Sequence, residues 1–418
     1  IKTFDDIQSL INNAGEGSTV YLNGDNYMGN GSHINVTKSL TIDGQGATLD
    51  GQVTSNAFYI NNSANVVFKN IKIINTIEVR GGAILSVKGG DITIINSTFI
   101  NTNASTQMGG AVSTTGGILT VINSSFIHTV GQMGGALYST SNIFVFNSSF
   151  INTNTGTTGK LVSGGAIYGT KNVTLIGSTF INTTSVANGG AIYIGNKGNG
   201  TVINSTFINT KTLGGYYGGA IYANSNCNII VVGSKFTNTT SYEGGAINGQ
   251  SNCNITVVDS TFINSTAIGQ YSDGGGAIYN EGTLTVIDSK FENCQGSNGL
   301  DIYATGSVNL ICNDYEGKTR YNSTEVYGNV VKYIVSGTFA EVQYRIDTTP
   351  DNGVLNLENK KYTADENDTS IKINKNITIN GQGSTLDGKG RIRAFDFTDV
   401  ANLILKNIQI TNTYDATR

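Results

Sequence analysis

Short apolar runs, three to a unit, recur along most of the chain. The first run opens on a glycine pair: Gly81-Gly82-Ala83-Ile84, Gly109-Gly110-Ala111-Val112, Gly134-Gly135-Ala136-Leu137, Gly164-Gly165-Ala166-Ile167, Gly189-Gly190-Ala191-Ile192, Gly218-Gly219-Ala220-Ile221, Gly244-Gly245-Ala246-Ile247 and Gly275-Gly276-Ala277-Ile278, with Gly299-Leu300-Asp301-Ile302 as a decayed last copy. The second run alternates, as in Asn172-Val173-Thr174-Leu175-Ile176. The third is a Ser-Thr-Phe-Ile-Asn element whose Phe falls at 99, 126, 150, 180, 207, 236, 262 and 291. The alanines after the glycine pairs step by 28, 25, 30, 25, 29, 26 and 31 residues, a period that marks a repeat architecture. Three strands of about four to six residues, with their turns, fill roughly 25–30 residues. That is one coil of a parallel β-helix. A helical repeat of this length needs two long runs of 3.6 periodicity, and the sequence has none.

The coil assigns directions to side chains. One aliphatic and one Phe per coil point inward and stack on their counterparts above and below. Asn101, Asn152, Asn182, Asn209, Asn238, Asn264 and Asn293 follow the Phe at one coil position, where amides can hydrogen-bond along the axis. The residue after the inward aliphatic is Tyr138, Tyr168, Tyr193, Tyr222, Tyr279 or Tyr303, with Asn248 interrupting. Strand side chains alternate, so these tyrosines point outward. Two readings stay open for them: an exposed row that stacks on sugar rings or on a partner's surface, or a self-stacked ladder that stiffens the rod.

Residues 3 to 14 read as a short capping helix with Thr3 as N-cap and Phe4, Ile7, Leu10 and Ile11 on one face. Roughly eleven coils follow, between about residues 20 and 312. The pattern stops near 314. It restarts at 338, where residues 338–413 repeat 3–76, including Thr378-Ile379-Asn380-Gly381-Gln382-Gly383 after Thr41-Ile42-Asp43-Gly44-Gln45-Gly46. The expected organisation is therefore a capped β-helix over 1–315, a linker over 316–337, and the cap and first coils of a second β-helix over 338–418. The restart suggests a piece of a longer tandem array.

Composition narrows the function. A net charge of -4 gives no basic footprint, so nucleic acid is not an expected partner. No apolar run reaches the ~18 residues of a membrane span. Cys227 and Cys253 sit in matching contexts one coil apart, within reach of a disulfide, and Cys294 and Cys312 form a second candidate pair; four buried thiols are the alternative. His33 and His128 have no Cys, His or carboxylate at ligand spacing, so no metal or cofactor is expected from them. Polysaccharide cleavage needs paired carboxylates, or an acidic cluster with a nearby Lys or Arg. Asp259 and Asp288 fall at one repeat position on consecutive coils, where earlier coils carry Asn96, Asn123, Asn147 and Asn204. They read as turn acids before they read as a catalytic pair. The loop Asp365-Glu366-Asn367-Asp368 is a minor calcium candidate. Among many sequons, Asn35, Asn322 and Asn367 lie in loops that could carry glycans, whereas stacked positions such as Asn96, Asn123 and Asn147 are too close together.

The Gly-Gly-Ala-Ile and Phe-Ile-Asn repeats resemble those of adhesin-like surface proteins of methanogenic archaea and, more distantly, of chlamydial polymorphic outer membrane proteins. The resemblance spans nearly the whole chain outside 314–337. It implies a right-handed parallel β-helix that is extracellular and displayed at the cell surface. It brings no catalytic motif. The expected function is a non-enzymatic adhesin that binds glycans or proteins of a partner cell through the β-helix flank. The alternative is a stalk, sheath or filament subunit that self-associates end to end, with a polysaccharide-cleaving enzyme behind both.

Overall fold

The computed structural model describes all residues except 1, 105, 157–161, 270–273, 399 and 415–418. The chain is a right-handed parallel β-helix, and the described residues include two short helices, α1 (Phe4–Asn13) and α2 (Phe339–Thr348). It divides into two compact units, one of residues 1–285, 289–308 and 321–329, the other of 286–288, 309–320 and 330–418.

In the first unit each glycine pair marks one circuit of the backbone. Ile84, Val112, Leu137, Ile167, Ile192, Ile221, Ile247, Ile278 and Ile302 stand in register on successive parallel strands. Phe99, Phe126, Phe150, Phe180, Phe207, Phe236, Phe262 and Phe291 are fully buried. Their rings stack face to face with centroids 4.7 to 5.0 Å apart, the spacing of the strands themselves.

The turn after each Phe explains its Asn. Asn101, Asn152, Asn182, Asn209, Asn238, Asn264 and Asn293 all lie at φ between 51° and 54°, a left-handed conformation that Asn tolerates. The amides donate from coil to coil, as from Asn209 to Asn182 and from Asn238 to Asn209, each at 3.0 Å. His128 occupies this position in one coil, at φ 52°, and the Asn152 amide reaches its Nε2 at 3.0 Å. His128 is thus a rung of the ladder.

The glycine pair has two separate causes. The first glycine of most pairs takes positive φ, 71° at Gly189. The second has no room for a side chain: a Cβ at Gly190 would lie 2.0 Å from the Gly219 carbonyl oxygen.

At the N-terminus α1 buries Phe4, Ile7 and Ile11, and Asp6 accepts the Thr3 N–H at 2.7 Å in a capping box. Leu10, expected on the buried face, is 42% exposed. The stretch expected to be a linker, 316–337, is not one. Its strand Val326–Ile334 pairs with Ile302–Ile311, so the repeat continues one strand further than the glycine motif indicates.

In the second unit α2 packs Phe339, Val342 and Ile346 against Leu355, Ile373, Ile379 and Leu386. The strand Ile377–Asp387 is flanked by Gly353–Asn356, Lys361–Thr363 and Leu403–Thr411, all parallel. Thr338 caps α2 by accepting from Glu341 N–H at 3.3 Å. The buried Glu341 carboxylate accepts from Arg345 and Lys360, which compensates its desolvation.

Of the two readings of the cysteines, the structure has the four buried thiols and not the candidate disulfides: Cys227, Cys253, Cys294 and Cys312 are all free and buried. Their sulfurs lie against backbone carbonyls, Cys227 on Gly195 O at 3.2 Å and Cys253 on Asn224 O at 2.9 Å. Burial holds the Cys294 thiol above its ordinary range and pushes Cys312 up to about 12. Reduction is therefore expected to leave the melting temperature unchanged. A drop of several degrees on adding dithiothreitol would show that a bridge exists in solution.

Candidate functional site

The sequence candidates mostly resolve into structure. The tyrosines do point off the core, but they form a self-stacked ladder and not an exposed row. Tyr138, Tyr222 and Tyr279 are 7% exposed and Tyr303 5%. Tyr168 and Tyr193, half-buried, stack with centroids 4.3 Å apart. Burial raises the phenols of Tyr168, Tyr222 and Tyr279, so they stay protonated.

Asp259 and Asp288 both adopt φ 48°, as a turn role requires. Arg345 binds Asp288 with two hydrogen bonds, at 2.9 and 2.7 Å. In the acidic loop Asp365 pairs with Arg320, which is the main cause of its lowered pKa. Asp368 accepts from the backbone of Phe339, Ala340 and Asp365. These carboxylates are engaged within the protein. Among the described residues no group of three or more His, Cys, Asp or Glu converges as a metal site. Asn35, Asn322 and Asn367 are exposed.

The constellation that the sequence did not bring together lies at the start of the array. His33, Asn56, Tyr59, Glu78, Val79, Arg80, Leu85 and Gln107 line a notch of 390 Å3. Three successive coils build it. Asn35, Tyr59 and Leu85 are in register on the outward face, and Phe58 pairs with Ile84. That register places Asn56 where the next coil has Gly82. Ser55-Asn56 thus replaces the glycine pair, and the turn changes shape.

Chemically distinct groups meet there. The His33 and Tyr59 rings lie 5.2 Å apart, tilted by 36°. Arg80 Nε donates to the Gln107 side-chain oxygen, which steers the guanidinium toward the notch wall. Glu78 accepts the Val79 N–H at 2.8 Å. Asn56 is 1% exposed, its amide nitrogen reaching Phe58 O at 3.4 Å while its Oδ1 has no hydrogen-bond partner. A buried acceptor without a partner costs about 1–3 kcal/mol. Two sequence signals existed: a coil without its glycine pair, and Arg80 as the one cation directly before such a pair.

The fold and the notch define a class: a parallel β-helix with a polar, aromatic-sided cleft on its outer sheet. No family model matches the sequence, and no curated protein does. Solved structures give similarity of fold. One is described as a new PL6 alginate lyase in complex with a trisaccharide, at TM-score 0.43 and 12% identity, covering 98% of this chain and 83% of that one. Another is the alginate lyase AlyF-OU02 in complex with G6, at TM-score 0.36 and 12% identity with the same coverage. The expectation of an adhesin, or of an end-to-end structural subunit, is corrected at this point: these two solved chains are described as alginate lyases and not as surface adhesins. No helix among the described residues is long and apolar enough to cross a membrane.

Proposed function

We propose that this chain cleaves a uronate-containing polysaccharide by β-elimination in the notch built from residues 33 to 107. The observation that carries the reading is the convergence of His33, Tyr59 and Arg80 on one cleft. β-Elimination needs three things at one sugar. The uronate carboxylate must be neutralised, so that the C5–H bond becomes acidic. A base must take that proton, and an acid must reach the leaving oxygen at C4.

Arg80 supplies the first. A guanidinium is always charged and binds a carboxylate with paired hydrogen bonds. His33 takes the C5 proton, since a neutral imidazole carries one acceptor nitrogen. The C4–C5 double bond forms as the C4–O bond breaks, and the Tyr59 hydroxyl protonates the departing oxygen. Hydrolysis fits less well. It uses two carboxylic groups flanking the bond, and Glu78 is the one carboxylate lining the notch. A polymeric substrate lies outside the cell, and an extracellular place belongs to the same reading.

The test is incubation with polygalacturonate, alginate and a glucuronate polymer while following the ultraviolet absorbance of unsaturated chain ends. Absorbance should rise with at least one polymer. Flat absorbance on all three overturns the reading, and new reducing ends without absorbance would indicate hydrolysis.

A further inference from the structure

The outward column that starts at the notch runs the length of the array. Tyr59, Leu85, Ser113, Tyr138, Tyr168, Tyr193, Tyr222, Asn248, Tyr279 and Tyr303 stand in register on successive strands. Tyr327 stacks on Tyr303 at 4.8 Å with planes 4° apart, which extends the column by one ring. At about 4.8 Å per strand, Tyr59 and Tyr327 lie on the order of 50 Å apart on one face.

The end of the column differs from its middle. Tyr303 is 5% exposed, whereas Tyr327 is 54% exposed. Beside these two rings lies a groove of 550 Å3, lined also by Thr305, Ser323 and Asn329. None of its lining residues is charged. An open aromatic face bordered by hydroxyl and amide groups suits the C–H face and hydroxyls of a sugar ring.

We propose that the Tyr327 groove is a second polysaccharide-binding site, remote from the notch and on the same face. This inference rests on the reading that the ligand is a polysaccharide. The two sites would hold one chain at once, so the groove raises the local concentration of polymer at the notch without touching the reacting bond. Its effect must then depend on substrate length. A tetrasaccharide is too short to span the separation, and a long polymer is not.

Tyr327→Ser tests this with two independent readouts. In polysaccharide cleavage, the KM for polymer should rise about three- to tenfold, with kcat and the KM for a tetrasaccharide unchanged. In affinity electrophoresis through gels containing polygalacturonate, alginate or glucomannan, Tyr327→Ser should migrate faster than wild type in at least one, and Tyr327→Trp should restore the retardation. The second readout requires no cleavage, so failure of the lyase reading shows as missing unsaturated products while binding persists. The inference is overturned if wild type is retarded by none of the three polymers. It is overturned equally if Tyr327→Ser is retarded as wild type is, or if the tetrasaccharide KM rises with that of the polymer.

Discussion

Replacing Arg80 with alanine is expected to reduce kcat/KM on a uronate polymer by about 10³-fold, roughly 4 kcal/mol of transition-state stabilisation. The size follows from the position of the charge. Elimination builds negative charge on the carboxylate as the C5 proton leaves, and the guanidinium stabilises that charge more than the ground state. Arg80 is exposed and lies in the turn before Gly81, so its loss should not unfold the chain. Circular dichroism and melting of the variant should match wild type. Arg80→Lys should recover only part of the rate, because an ammonium cannot make the paired contact. His33→Ala should also fall steeply, by about 10²-fold or more, since the proton acceptor is lost. Equal activity of Arg80→Ala and wild type, with uronate polymers as substrates, would remove the notch from the mechanism.

Gly190→Ala is expected to destabilise the first unit by about 3 kcal/mol or more, although it adds one methyl group. The added Cβ would meet the Gly219 carbonyl oxygen at 2.0 Å and the Lys211 backbone at 2.7 Å. Backbone cannot swing aside as a side chain can, so two coils must separate or tilt. In a solenoid each coil contacts only its neighbours, and the damage should localise to one interface. Urea unfolding should show a lowered midpoint, and limited proteolysis should open the chain near residues 190–219. Gly15→Ala is the control: nothing lies within 4 Å of its added Cβ, and its stability should change little. A midpoint for Gly190→Ala equal to that of the control would mean that the coils are not packed as described.

The second glycine of each pair shows how much of the fold is legible before any coordinates. Its recurrence at 82, 110, 135, 165, 190, 219, 245 and 276 betrays a close approach repeated once per coil. The Phe of each third strand and the Asn that follows it are equally legible. One position must fill the axis, and the next must take a left-handed turn. The capping helix was readable from its box, except for Leu10, because periodicity gives a stripe and not its width.

Other features were illegible for reasons that can be named. For the tyrosines, alternation decides only the side of the sheet on which a ring sits. Its burial depends on the rings above and below it and on the turns beside it. The cysteines had the right spacing for bridges, yet spacing fixes the separation of backbones and not the direction of Cβ. The strand Val326–Ile334 was read as linker because it lacks the glycine pair that marks the regular coils from residue 81 to 276. The notch was missed because its residues, 33, 56, 59, 80 and 107, are drawn from three successive coils.

By itself, then, the sequence determined the path of the backbone: a periodic chain whose small, aromatic and amide positions each answer a local demand repeated coil after coil. Only the tertiary structure decided which side chains share a space. His33 has no partner within its own segment, and it meets Tyr59 because two coils place them side by side. Local demands are met within a few residues and leave a pattern in the sequence. A cleft is assembled across coils about 25 residues apart, and it shows in the sequence only as a break in the repeat, here at Ser55-Asn56.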